Sequence, residues 1–151
     1  MSDQDIVELW LAEGVLPPDV AARRVSEVLH VAVADGGGLA GVTTAYIARN
    51  EQLRMDLWHL RAFVATEHRM TSIALDLLRA SRDHLEERFV TGADTRAAGM
   101  ALVIANKSLQ HHNPHGNWRR AGVAFIGVDE RGDWVRVRYF PGALAPGPED
   151  G

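Results

Sequence analysis

Residues 55–64 read MDLWHLRAFV, residues 65–72 ATEHRMTS and residues 73–89 IALDLLRASRDHLEERF. The first block is dense in apolar and aromatic side chains, as a buried strand requires. The third repeats apolar residues at helical spacing through Ile73, Leu77, Leu78, Leu85 and Phe89, which predicts a long helix from Thr71 to about Phe89. Between them the polar turn Ala65 to Ser72 must pass the chain from strand to helix. A strand that feeds a helix through a tight turn aims several backbone N–H groups and the positive helix end at one spot, a ready site for an anion.

Composition sets the outer bounds. A chain of 151 residues fits one domain with a real core. Its 46% hydrophobic and 24% charged residues are the ordinary balance of a soluble globular protein. The net charge of −4 argues against a protein that coats nucleic acid. There is no cysteine, so disulfides, thiolate nucleophiles and cysteine–zinc sites are excluded. The acidic start (Asp3, Asp5, Glu8) has no apolar run behind it and does not read as a signal peptide. No stretch approaches the ~20 apolar residues of a membrane span. The expected location is the cytoplasm, with neither nucleic acid nor membrane as partner.

Outward from the central stretch, the pattern predicts the remaining elements. Asp3 to Glu13 reads as a short amphipathic helix ended by Gly14, and Pro17-Pro18 forces a turn. Asp19 is placed to cap a second helix through Val20, Ala21, Val25 and Val28. Leu29 to Ala34 and Leu39 to Ala48 read as a hairpin across Asp35-Gly36-Gly37-Gly38. The near-continuous apolar run Met100 to Ala105 suits a strand buried on both faces. The polar segment Asn106 to Asn117 leaves room for a helical turn. Gly122 to Val128 and Asp133 to Phe140 then face each other across Asp129-Glu130-Arg131-Gly132. The tail from Pro141 to Gly151, rich in Pro and Gly, is expected to be flexible. The order is α-α-β-β-β-α-β-(α)-β-β, an α/β (α+β) domain over residues 1–140. Its sheet is mixed, mostly antiparallel and of about six strands, flanked by helices.

In this order and length, roughly from Ile6 to Phe140, the chain resembles the GNAT superfamily of acetyl-CoA-dependent N-acetyltransferases. That family places an Arg/Gln-x-x-Gly-x-Gly/Ala turn before its long helix, where backbone amides hold the pyrophosphate of acetyl-CoA. Here Arg69-Met70-Thr71-Ser72-Ile73-Ala74 occupies the position. Arg69 matches the first residue and Ala74 the last, while Ser72 replaces the central glycine and Met70 stands where glycine is frequent. Small residues are wanted because phosphates approach the main chain closely. The other reading of Arg69 is a solvated charge on a polar turn. The resemblance further implies that the pantetheine arm pairs with backbone at Phe63, Val64 and Ala65. It also places Asn106 near the pantetheine, where a plain strand-end or cap residue is the equal alternative. The family's Tyr-x-x-x-Gly-Phe corresponds to Trp118-Arg119-Arg120-Ala121-Gly122-Val123. The glycine is kept, but an indole N–H has no useful acidity, so Trp118 cannot take over the tyrosine's role as acid.

For the base that deprotonates an amine, the candidates on the strand before the long helix are His59 and Asp56, which three residues separate onto opposite faces. His59 is preferred because imidazole titrates near neutrality; the alternative is a histidine hydrogen-bonded within the sheet. His111-His112-Asn113-Pro114-His115 gathers three imidazoles, but no acid or cysteine completes a metal site, and an exposed loop near the acceptor pocket is the preferred reading. Arg136 and Arg138 alternate with Val135, Val137 and Tyr139, which reads as a solvated sheet face, with recognition of an acidic acceptor as the sharper alternative. The resemblance thus implies transfer of an acetyl group from acetyl-CoA, or another acyl group from its acyl-CoA, to a primary amine of a small molecule or peptide. Direct attack is implied, with no covalent enzyme intermediate. The competing reading is a catalytically inactive GNAT-fold binding or interaction module. Homodimer formation through the final strands is compatible with either.

Overall fold

In the computed structural model, which describes residues 2–69, 72–104 and 107–147, the first helix forms where its cap predicts it. Helix α1 (Asp3–Ala12) starts at Ser2, whose hydroxyl accepts the Asp5 N–H at 3.2 Å while the Ser2 N–H donates to the Asp5 carboxylate at 2.9 Å. This reciprocal box satisfies two N–H groups that the helix start would leave orphaned. Helix α2 (Pro18–Arg24) takes Pro17 as its extended cap residue and Pro18 as its first residue, so Asp19 lies inside the first turn instead of capping it. A 3-10 turn, Val25–Glu27, replaces the expected continuation to Val28.

The strands follow as β1 (Val28–Val33), β2 (Leu39–Asn50), β3 (Met55–Val64), β4 (Gly99–Ile104), β5 (Asn117–Trp118), β6 (Val123–Val128) and β7 (Trp134–Tyr139). Helix α3 (Ile73–Val90) lies between β3 and β4, and α4 (Lys107–His112) follows β4. The strands form one seven-stranded sheet in the order β1-β2-β3-β4-β7-β6-β5. The α3 crossover makes β3 and β4 parallel, through Trp58↔Met100, His59↔Ala101 and Leu60↔Leu102. The pairs β1–β2, β4–β7, β6–β7 and β5–β6 are antiparallel. The mixed, mostly antiparallel sheet is as the sequence predicts, with the two-residue β5 as the addition. Among the described residues no helix is long and apolar enough to cross a membrane.

Contacts divide the chain into two compact units, and β2, β3 and α3 each run through both. The first contains Met1–Ala45 and Arg61–Ser81. Its core joins Ile6 and Trp10 of α1 to Ala21 and Val42, with Phe63 packed against them. Alternation along β2 turns the neighbours of Val42 the other way, toward α3. A Cβ on Gly41 would lie 2.9 Å from Leu77 Cδ1 and 2.9 Å from the Phe63 carbonyl, so only glycine lets the helix come this close. Thr43 and Ser81 share a buried hydroxyl–hydroxyl hydrogen bond of 2.6 Å, and His30 Nδ1 lies 3.1 Å from the same Ser81 oxygen. Arg61 binds both Glu27 oxygens, at 2.8 and 3.2 Å, and donates Nε to Thr44.

The second unit contains Tyr46–Leu60 and Arg82–Gly151. Leu57, Ala101, Val135 and Val137 form its core on one sheet face, with Leu53 and Ile126 against them. On β7 the next residues along, Arg136 and Arg138, point the opposite way by strand alternation. Arg138 donates to Glu86 of α3 at 2.9 Å, and the Phe89 and Phe140 rings meet at 5.7 Å.

Candidate functional site

At the end of β3 the chain goes to ground before it turns. Val64 and Ala65 are buried, and the Ala65 N–H donates to Ala40 O at 2.8 Å. The 3-10 turn Thr66–His68 follows. Its Thr66 N–H and hydroxyl both donate to the Glu13 carboxylate, at 3.1 and 2.7 Å. The hydroxyl first and the N–H second hold the Glu13 carboxyl below the usual carboxylate range. The tie needs the ionised form, so it is complete above the ordinary Glu value and is lost as pH falls through the lowered one.

Arg69 is exposed, donates Nε to Val64 O at 3.1 Å and lays its guanidinium 5.8 Å from the centre of the Phe63 ring. The structure therefore brings Arg69, Phe63 and Val64 into one cluster. Ser72 is exposed immediately before α3; its hydroxyl donates to Asp76 at 3.0 Å, and the Asp76 N–H closes the first turn on Ser72 O at 2.9 Å. Ile73 and Ala74 are the half-buried first residues of the helix. Met70, Thr71 and Asn106 lie outside the described residues.

The donor set suits an anionic group: the start of an 18-residue helix, an exposed hydroxyl and an exposed guanidinium. One carboxylate already draws on it, and a second is bound beside it. Glu13 occupies the Thr66 donors, and Asp76 takes the Ser72 hydroxyl. An incoming phosphate gains the Ser72 hydroxyl only when that bond to Asp76 is released. The acids Glu13 and Asp76 were not among the sequence candidates, and their spacing from Thr66 and Ser72 gives no signal for Glu13; the i,i+4 relation of Ser72 to Asp76 does.

His59 and Asp56 are not brought together. His59 is half-buried on β3 opposite Ala101, whereas Asp56 is exposed on the other face. The His59 imidazole stacks on Tyr46 of β2, with ring centres 5.1 Å apart and planes at 28°. The sequence carries no signal for Tyr46, because a tyrosine in a hairpin strand reads as ordinary strand composition.

Gly122 has a local cause. Its φ is +75°, and a Cβ would lie 2.8 Å from Arg82 Nη1 and 2.9 Å from Arg138 Nη1. Both arginines cap this turn, Arg82 on Ala121 O at 2.9 Å and Arg138 on Gly122 O at 3.3 Å. Trp118 at its start is buried.

The solvated face expected for Arg136 and Arg138 is corrected by the structure. Arg138 is half-buried in its pair with Glu86, and Arg136 is 0% exposed. The Arg136 Nη2 donates to the carbonyls of Asn113 and His115 at 2.8 and 3.0 Å. Its guanidinium lies 5.6 Å from the Trp118 ring centre and 5.5 Å from that of Trp134. Among the described residues no carboxylate reaches it, and Nε and Nη1 have no hydrogen-bond acceptor. Burial pushes this guanidinium below its usual range. Desolvating an ion costs several kcal/mol, and the two indoles and two carbonyls offset part of that. His111, His112 and His115 are exposed, and among the described residues no group of three or more His, Cys, Asp or Glu could hold a metal.

Three solved structures show the fold. An acetyltransferase of the GNAT family from Streptococcus pneumoniae superposes with a TM-score of 0.61 at 13% identity, over 93% of this chain and 96% of that one. A GNAT superfamily phosphinothricin acetyltransferase from Sinorhizobium meliloti, in complex with acetyl-CoA, gives 0.61 at 17% identity, over 98% and 91%. An aminoglycoside acetyltransferase in complex with coenzyme A and kanamycin gives 0.59 at 14% identity, over 92% and 91%. No family model matches the chain, and no curated protein matches it in sequence.

Proposed function

From the premise that the chain has the fold of the GNAT acetyltransferases, we propose that it is an acyl-CoA-dependent N-acyltransferase acting on a primary amine of a small molecule or peptide. The observation that carries this reading is the strand–turn–helix unit, with exposed Arg69 and Ser72 at the start of α3, in a chain that shares its fold with acetyltransferases over more than nine-tenths of its length.

Arg69, Ser72 and the first-turn N–H groups of α3, with Met70, Thr71, Ile73 and Ala74, hold the anionic end of the cofactor. The main chain at Phe63, Val64 and Ala65, with Asn106, holds its arm. When bound, acetyl-CoA supplies an acyl group activated as a thioester. His59 accepts the proton of the acceptor amine at its imidazole, and the stacked Tyr46 ring fixes the imidazole plane. Trp118 contributes no proton. Asp56 projects from the opposite face of β3 and takes no part in this proton transfer.

The test is the initial rate of free-thiol release from acetyl-CoA in the presence of a panel of primary amines. Turnover is expected with at least one amine. His59→Gln is expected to lower kcat by about 100-fold or more, the usual contribution of a general base, with little change in KM for acetyl-CoA. A kcat unmoved by His59→Gln removes His59 from the mechanism.

A second reading is favoured by the carboxylates at the turn. Asp76 on the Ser72 hydroxyl and Glu13 on Thr66 are what a chain that no longer binds the cofactor would tolerate there. A folded protein that binds acetyl-CoA poorly and turns over no amine is then an interaction module built on the acetyltransferase fold.

A further inference from the structure

The second unit carries an open surface pocket of about 580 Å³ whose wall includes Asn113, His115, Trp118, Arg119 and Arg120. Among the described residues no acidic one lines it. Arg136 stands behind three of these residues: it donates to the carbonyls of Asn113 and His115 and faces the indole of Trp118. It is the wholly buried cation of the described residues, and three of its five N–H bonds, one on Nε and two on Nη1, meet no acceptor. Buried polar groups are nearly always satisfied, and those that are not call for a cause such as an absent ion or ligand. The aromatic clamp of Trp118 and Trp134 and the two carbonyl bonds hold the guanidinium in place without neutralising it. No carboxylate of the described residues neutralises it; the result is a held, uncompensated positive charge behind the wall of that pocket.

We propose that Arg136 is the anion-recognising residue of a ligand pocket bounded by Asn113, His115 and Trp118, and that its ligand is a small molecule carrying a carboxylate or phosphate group. The wall over Arg136 is the short irregular segment Asn113–Gly116. Its displacement exposes the guanidinium, and the oxyanion takes over the donors that now meet no acceptor or loop carbonyls. Arg119 and Arg120 on the exposed rim add positive charge that draws the anion in. This proposal stands independently of acyl transfer.

Trp118 and Trp134 flank the site, so intrinsic fluorescence reports on it directly. The experiment titrates the full chain with glutarate and, separately, with inorganic phosphate, each against sodium chloride at matched ionic strength. A saturable fluorescence change with either anion, beyond that of chloride, is expected. Saturation with glutarate alone assigns a carboxylate ligand, and with phosphate alone a phosphate ligand. Arg136→Met, of similar length and without charge, is expected to raise the dissociation constant by at least about tenfold. Arg136→Lys keeps the charge but not the fork and is expected to weaken binding less; it decides the matter where the Met variant does not fold. A purely structural arginine would move thermal stability and leave anion affinity alone. The proposal is overturned by the absence of a saturable response to both anions, or by folded variants that bind as the wild type does.

Discussion

Ser72→Glu lowers the affinity for acetyl-CoA by about 100-fold or more while the chain still folds. Residue 72 is exposed and immediately precedes the 18-residue helix α3, where the proposed pyrophosphate contacts are made. A carboxylate there lies beside the phosphates rather than away from them. Two like charges about 4 Å apart repel by ~4 kcal/mol at the effective dielectric of a protein surface, and solvent screening leaves a large part of the ~2.7 kcal/mol that 100-fold requires. Loss of the bond from Ser72 to Asp76 and the new Glu–Asp repulsion cost about 1 kcal/mol of helix start, too little to unfold a domain of ordinary stability. Ser72→Ala serves as the control: it removes the same bond to Asp76 without adding charge, so its affinity is expected to fall only a few-fold. Calorimetric titration of both variants, with circular dichroism to check the fold, separates the charge from the loss of the hydroxyl.

Trp10→Ala destabilises the protein by about 3–5 kcal/mol, the range for deleting a buried aromatic side chain from a core that cannot collapse around the gap. Trp10 is 2% exposed and packs with Ile6, Ala21 and Val42, with Phe63 against the same cluster. Against a total of some 5–15 kcal/mol, such a loss brings the folded state close to its limit. Urea denaturation followed by far-ultraviolet circular dichroism is expected to show a midpoint shifted strongly downward with an unchanged slope. Trp10→Phe, which keeps a ring in the cluster, should recover a large part of the loss. An Ala variant within about 1 kcal/mol of wild type would mean that α1 is not held by this core.

Much of this fold can be read from residue periodicity. Met55–Val64 is a strand and Ile73–Val90 a helix because an apolar run and a 3.6-residue repeat flank a polar turn, and neither pattern depends on partners elsewhere. Local chemistry also fixed the hairpin turn at Asp129, whose carboxylate accepts the N–H groups of Arg131 and Asp133 at 2.9 Å each. Features set by tertiary contact were not legible. The strand Asn117–Trp118 is too short to carry a pattern and exists through its pairing with Ala124 and Val123. Pro17 displaced Asp19 from the cap of α2 because a proline pair preorganises the helix start. Alternation in Val135–Tyr139 gave the side each residue takes, but not that the loop at Asn113 and His115 and two indoles cover Arg136. For the same reason the sequence located a candidate anion turn at Arg69–Ala74 without disclosing that Glu13, more than fifty residues upstream, binds Thr66 beside it.

The most direct measurement is calorimetric titration of acetyl-CoA into the wild-type chain. Saturable binding with a micromolar dissociation constant is predicted, with an affinity that falls as salt is raised because the pyrophosphate contacts are ionic. A folded protein that takes up no acetyl-CoA at millimolar concentration would contradict the acyltransferase account and leave the interaction-module reading in its place.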